Sequence, residues 1–177
     1  MKILAERRAL TPFQQNLVLS GLQDADPTTR RSAADALTRH LLSHSVLPLF
    51  DAWSQADEKD THLIHVIRMA LRRQLESVDD WVQLGKEMPE ADKDRLRAMA
   101  VAVGSEAASF YATKEISVAD ISKLATENVD QLLRYCQIIE KLPKDTAIAF
   151  VERLREADLD RRLKARVLIA IGGREMA

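Results

Sequence analysis

The sequence predicts an all-α fold, an α-solenoid of about five helical hairpins stacked side by side, on three observations. Apolar residues recur at helical spacing almost throughout, and no segment alternates cleanly over four or more positions, so no strand is predicted. Only five glycines and five prolines interrupt 177 residues, and most of them stand where a helix would begin or end. Asp26, Asp60 and Asp92 lie 34 and 32 residues apart, and each precedes a longer helix followed by a shorter one, which is a hairpin-sized period.

The elements follow in order. Thr11-Pro12 reads as an N-cap and a first-turn proline, opening a helix to about Leu22. Asp26-Pro27 repeats the device and opens "TTRRSAADAL", whose apolar face is Ala33, Ala34, Leu37 and Leu41. Arg31, Asp35 and Arg39 alternate in sign on the opposite side, four apart. Ser45 is placed to cap "VLPLFDAW", with the stripe Val46, Leu49, Phe50 and Trp53; Pro48 is tolerable in a first turn. Asp60 or Thr61 opens a helix with the broad face Leu63, Val66, Ile67, Ala70, Leu71 and Leu75. Ser77 and Asp80 have capping-box spacing before Val78, Trp81 and Val82, and Gly85 is predicted to end that short helix. Asp92 starts a helix to Val103, which Gly104 stops; Ser105 starts the next, to about Thr113. Ser117 and Asp120 form another box, and helices near 118–125, 127–141, 145–156 and 159–171 complete about eleven. Pro143 separates two of these, and Gly172-Gly173 closes the last.

The alanines carry the architectural argument. A helix with only small residues on its buried face lets a neighbouring helix approach closely, near the low end of the 8–10 Å range. "SAADAL" is therefore the face predicted to stack on the adjacent hairpin, while the larger side chains of "VLPLFDAW" fill the space within its own pair. A single pair cannot bury such a face alone, but an array can.

"DADPTTRRSAADAL" followed by "VLPLFDAW" resembles the HEAT-repeat family, which pairs an Asp-Pro start, an early arginine and an alanine-leucine first helix with a Leu-Pro-Leu-like second helix. The likeness covers residues 24–56, continues over 57–87 without the proline, and fades to a helical rhythm beyond about residue 90. The resemblance implies a right-handed superhelical scaffold that binds macromolecules along an extended surface. It implies no cofactor and no reaction, and transfers no functional residue. One HEAT-like domain over residues 1–177 is the predicted organisation, whether alone or as a segment of a larger multidomain protein.

Composition narrows the chemistry. Twenty-six basic and 27 acidic residues give a net charge of −1, without the basic excess of a dedicated nucleic-acid binder. No apolar run is long enough to span a membrane. "MKILAERRAL" carries charges where a secretion signal needs its apolar core, so the cytoplasm is the default compartment, with export the expectation if the chain is a fragment of a larger secreted protein. Clustered glycines for a phosphate cradle, HExxH and GxSxG are all missing. The single cysteine, Cys136, shares a stripe with Leu132, Leu133 and Ile139 and reads as a small buried hydrophobe.

Several residues could nevertheless bind something. His40 and His44, and His62 and His65, stand four and three apart; a zinc site needs three or four ligands, so solvent and helix-end charge account for them better. Trp53 and Trp81 occupy corresponding positions in successive second helices and read as core. Arginine pairs at Arg7-Arg8, Arg30-Arg31, Arg72-Arg73 and Arg161-Arg162 mostly have carboxylates three or four residues away. His65, Arg68 and Arg72 share one helix face and are less compensated, making them the candidate binding surface, for an anionic group. The function predicted is a non-enzymatic protein-interaction scaffold with a protein partner and no nucleic acid. Two alternatives stand beside it: a HEAT-like enzyme acting on damaged DNA bases, with Asp51 near Trp53 as its only arrangement, and a compact helical bundle with a regulatory role.

Overall fold

The computed structural model describes residues 6–114 and 116–172. Among these every regular element is helical: α1 (Pro12–Gly21), α2 (Pro27–Arg39), α3 (Val46–Ser54), α4 (Thr61–Leu75), α5 (Trp81–Glu87), α6 (Lys93–Val103), α7 (Glu106–Lys114), α8 (Val118–Glu127), α9 (Val129–Gln137), α10 (Lys144–Glu156) and α11 (Arg161–Ala170), with short 3-10 turns at Ser43–Ser45, Glu90–Asp92 and Ile139–Lys141. They form two compact units. The first takes the described residues up to Asp79 together with Glu87–Lys93; the second takes Asp80–Lys86 and the described residues from Asp94 onward.

In the first unit, local capping chemistry sets the helix starts. Thr11 and Gln14 close a reciprocal capping box ahead of α1. The Asp26 carboxylate accepts from the Thr28 and Thr29 backbone N–H groups, and Asp60 accepts from that of Leu63. These bonds hold both carboxylates below the usual 3.8, for Asp26 through the Thr29 hydroxyl and the Thr28 amide, for Asp60 first through the Leu63 amide.

Helix α4 packs along α2 and also on α3, while α1 packs on α2. At one end Arg31, in the first turns of α2, reaches both oxygens of Asp60, the N-cap of α4, at 2.9 Å. At the other, Gln74, in the last turn of α4, donates to the carbonyls of Leu37 and His40 at 2.6 and 2.8 Å and accepts from the Leu42 N–H at 2.8 Å. Start lies beside start and end beside end, so α2 and α4 run parallel. Ala34 is three residues beyond Arg31 and Ala70 four before Gln74; both therefore lie on the facing sides, and both are fully buried.

The prediction differs from the structure at three places here. Helix α2 ends at Arg39, and Leu41, expected on the core face, is half exposed because the chain has left the helix before reaching it. Ser45 makes no capping bond; the 3-10 turn gives it helical backbone angles, and its buried hydroxyl has no partner among the described residues. His40, expected in solvent, is buried at the end of α2, where its carbonyl serves Gln74.

In the second unit, α9 packs on α8 and α11, and α10 on α7 and α8. Ser117 and Asp120 close the predicted capping box. Asp120 is held below its usual value, chiefly by the Ser117 backbone N–H. Gly104 has φ +63° at the end of α6, the left-handed turn that ends a helix. The Lys141 ammonium donates to its carbonyl. Arg153 donates to the carbonyls of Thr113 and Ile116 at 2.8 and 3.0 Å, closing the C-terminal end of α7. Cys136 is buried, and burial pushes its thiol up to about 12.

Helix α5 begins later than its sequence suggests. Asp80 alone caps it, accepting from the Gln83 N–H at 2.8 Å, while Ser77 turns back to the Gln74 carbonyl. Nor does Gly85 end the helix; it lies inside it. A Cβ there would stand 2.5 Å from the Tyr111 ring and 2.6 Å from its hydroxyl. The ring itself lies 6.0 Å from that of Trp81, which is 1% exposed. Glycine is present because an aromatic ring occupies the space of a side chain. Gly85→Ala must displace Tyr111 and is expected to cost the second unit about 1–3 kcal/mol; a urea titration followed by circular dichroism reads this as a lower midpoint with an unchanged slope. Gly172 follows α11 with φ +84°, and Gly173 lies outside the described residues.

Candidate functional site

Helix α4 puts its apolar stripe inward and, from Thr61 to Leu75, carries no carboxylate. Its outward positions are His62, His65, Arg68, Met69, Arg72 and Arg73, all exposed. The three predicted residues, His65, Arg68 and Arg72, thus lie on one solvent-facing strip, as their spacing requires.

What the structure adds comes from α3. The Arg68 guanidinium sits over the Trp53 ring, 5.8 Å from its centroid. Trp53 stacks in turn on Phe50, ring centroids 6.2 Å apart, and Phe50 is in the core. Trp53 is therefore half-buried: its inner side packs, and part of its ring supports a cation. A guanidinium held on an aromatic face keeps its N–H donors in plane and available at the edge. Trp81, the other tryptophan, is core.

Arg72 is less isolated than its spacing suggests. Glu76 lies 4.0 Å from its Nε and 2.8 Å from Arg73 Nη1, so one carboxylate serves two guanidiniums and the strip keeps a positive excess. The strip can receive an anion through Arg68 and Arg72 with an apolar contact at Met69. Among the described residues no group of three or more His, Cys, Asp or Glu is placed to hold a metal ion. None of the helices there is long and apolar enough to cross a membrane.

Asp51 and Trp53 do not form a joint site. The Asp51 carboxylate takes the side-chain amides of Gln23 at 2.7 Å and Gln55 at 2.8 Å, while Trp53 carries Arg68. Asp51 lines a groove of the first unit together with Glu87 and Asp92. Asp92 also accepts from the Ser54 hydroxyl at 2.9 Å. Glu87 and Asp92, part of an acidic run with Glu90 and Asp94 that the sequence shows, stand five residues apart, but Asp51 lies 36 residues before Glu87 and joins them only through the fold.

No known protein family, curated protein or solved structure matches the chain.

Proposed function

We propose that this chain is a non-enzymatic protein-interaction scaffold of HEAT-like hairpins, and that the outer strip of α4 grips an acidic segment of a protein partner. The observation that carries the reading is the parallel, small-residue contact of α2 with α4, joined by Arg31–Asp60 at one end and Gln74 at the other. Parallel neighbours separated by an intervening helix and packed closely along their length are what stacked hairpins require; an up-and-down bundle also makes alternate helices parallel but does not require that close packing. Asp26 and Asp60 cap α2 and α4 at equivalent places, 34 residues apart, which supports a repeat. Carboxylates rather than cations gather around Asp51, the reverse of what phosphate contacts to DNA need.

The strip is tested with a fluorescein-labelled peptide alternating glutamate and leucine. Fluorescence polarisation is expected to show binding that weakens with salt and falls about tenfold in Arg68→Ala, equal to about 1.4 kcal/mol. Trp53→Ala is expected to lower the affinity as well, by removing the ring that holds the guanidinium. Equal binding of a lysine-leucine peptide at this strip, or indifference to Arg68→Ala, would contradict the proposal.

A further inference from the structure

The acidic groove of the first unit and the last helix of the second unit are complementary in kind. The groove encloses about 500 Å³. Leu19, Leu47, Phe50 and Met88 supply its apolar wall, and Asp51, Glu87 and Asp92 its charge. Leu47 is 42% exposed. A carboxylate offers about four acceptor positions; the two amides on Asp51 leave lone pairs for further donors. The remaining lining residues, Gln23, Pro48 and Pro89, carry no charge.

Helix α11 has the opposite character. Its ten residues, RRLKARVLIA, hold four basic side chains and no acidic one. Leu163 and Val167 are buried, while Arg162, Ala165, Arg166 and Ile169 recur at helical spacing on an exposed face. Ile169 is 77% exposed, among the most exposed large hydrophobics of the described residues. Arg166 has a carboxylate nearby, Asp130, but at 3.7 Å. Ile169 and the adjacent Leu168, 43% exposed, lie among arginines, and an apolar groove rimmed by carboxylates has the complementary chemistry.

The geometry points to self-association: α11 of one copy docks into the acidic groove of a second copy, Ile169 entering the apolar wall and Arg162 meeting Asp51. This is a helix-in-groove contact. Because its two halves are different surfaces, each molecule keeps one of each after docking, and the association is head-to-tail. It is independent of the anion-binding strip on α4.

Sedimentation velocity on the full chain tests it. The wild type is expected to show a weight-average mass that rises with concentration into the high micromolar range and falls as salt is added. Asp51→Arg and Arg162→Glu are each expected to weaken association at least tenfold, and Ile169→Asp to abolish it. All three sites are exposed, so circular dichroism should be unchanged. Mixing Asp51→Arg with Ile169→Asp is decisive, because the first retains an intact α11 and the second an intact groove, while the introduced arginine and Arg162 repel at the other pairing. The mixture is expected to recover a dimer and go no further. A wild type that stays monomeric, an association untouched by these variants, or a mixture that stays monomeric would each overturn the inference.

Discussion

Gln74→Leu is expected to lower the unfolding free energy of the first unit by about 3 kcal/mol, although leucine suits the stripe on which it lies. Gln74 is 3% exposed and occupies a position between Leu71 and Leu75. Its side chain satisfies one backbone donor, that of Leu42, and two backbone acceptors, those of Leu37 and His40. These groups lie where α2 ends and its carbonyls have no helical partner ahead of them. A leucine would fill the volume and strand all three, at about 1–3 kcal/mol for each buried group left without a partner. Gln74→Glu discriminates the cause. Its carboxylate can still accept from Leu42 but meets two carbonyl oxygens with no proton to give, so it is expected to be no better than leucine at neutral pH. Urea unfolding of the two variants and the wild type checks this; a loss under about 1 kcal/mol in both would show that water or a shifted backbone supplies the missing bonds.

Ala70→Leu is the second large effect, expected to cost about 3 kcal/mol, toward the upper end for overpacking. Ala70 is completely buried on the side of α4 that meets α2, and Ala34 is completely buried opposite. Three added carbon atoms must enter a seam that is already fully buried, and the helices cannot part freely because Arg31–Asp60 and Gln74 tie both ends. Met69→Leu, next in sequence but outward-facing, is expected to change stability by less than about 0.5 kcal/mol. The pair of variants, compared by thermal unfolding, separates crowding of the seam from a change in helix propensity, since both introduce the same residue into the same turn.

What could be read from the chain and what could not divide along the range of the forces involved. The starts at Thr11, Asp26, Asp60 and Ser117 are legible because a cap is settled within four residues. The all-helical class is legible because helical spacing persists across many turns. Gly85 and Gln74 were not, because their reasons lie in other elements: a tyrosine on α7 for the glycine, the frayed carbonyls of α2 for the glutamine. Each looks locally like something else, a helix stop and a tolerated polar residue. The α4 strip was half legible. Its three cations share a face by spacing alone, and Glu76, four residues from Arg72, was there to be counted. The support of Arg68 by Trp53 was not, since fifteen residues and a turn separate them. The acidic groove was legible only in the run that holds Glu87 and Asp92; Asp51 and the apolar wall come from α1 and α3 with no shared motif.

The central physical claim is that α2 and α4 lie parallel and in contact, and a paramagnetic label tests that orientation directly. Thr28 is exposed in the first turn of α2, and Thr28→Cys takes a nitroxide selectively because Cys136 is buried with its thiol pushed up to about 12. Helix α4 has fifteen residues, so its ends lie about 22 Å apart, enough for a label to distinguish them. Parallel packing predicts strong broadening of the amides of Leu63 and Ile64 and little at Leu75 and Glu76. The reverse pattern, or uniform weak broadening along α4, would contradict it and remove the ground for reading the chain as stacked hairpins.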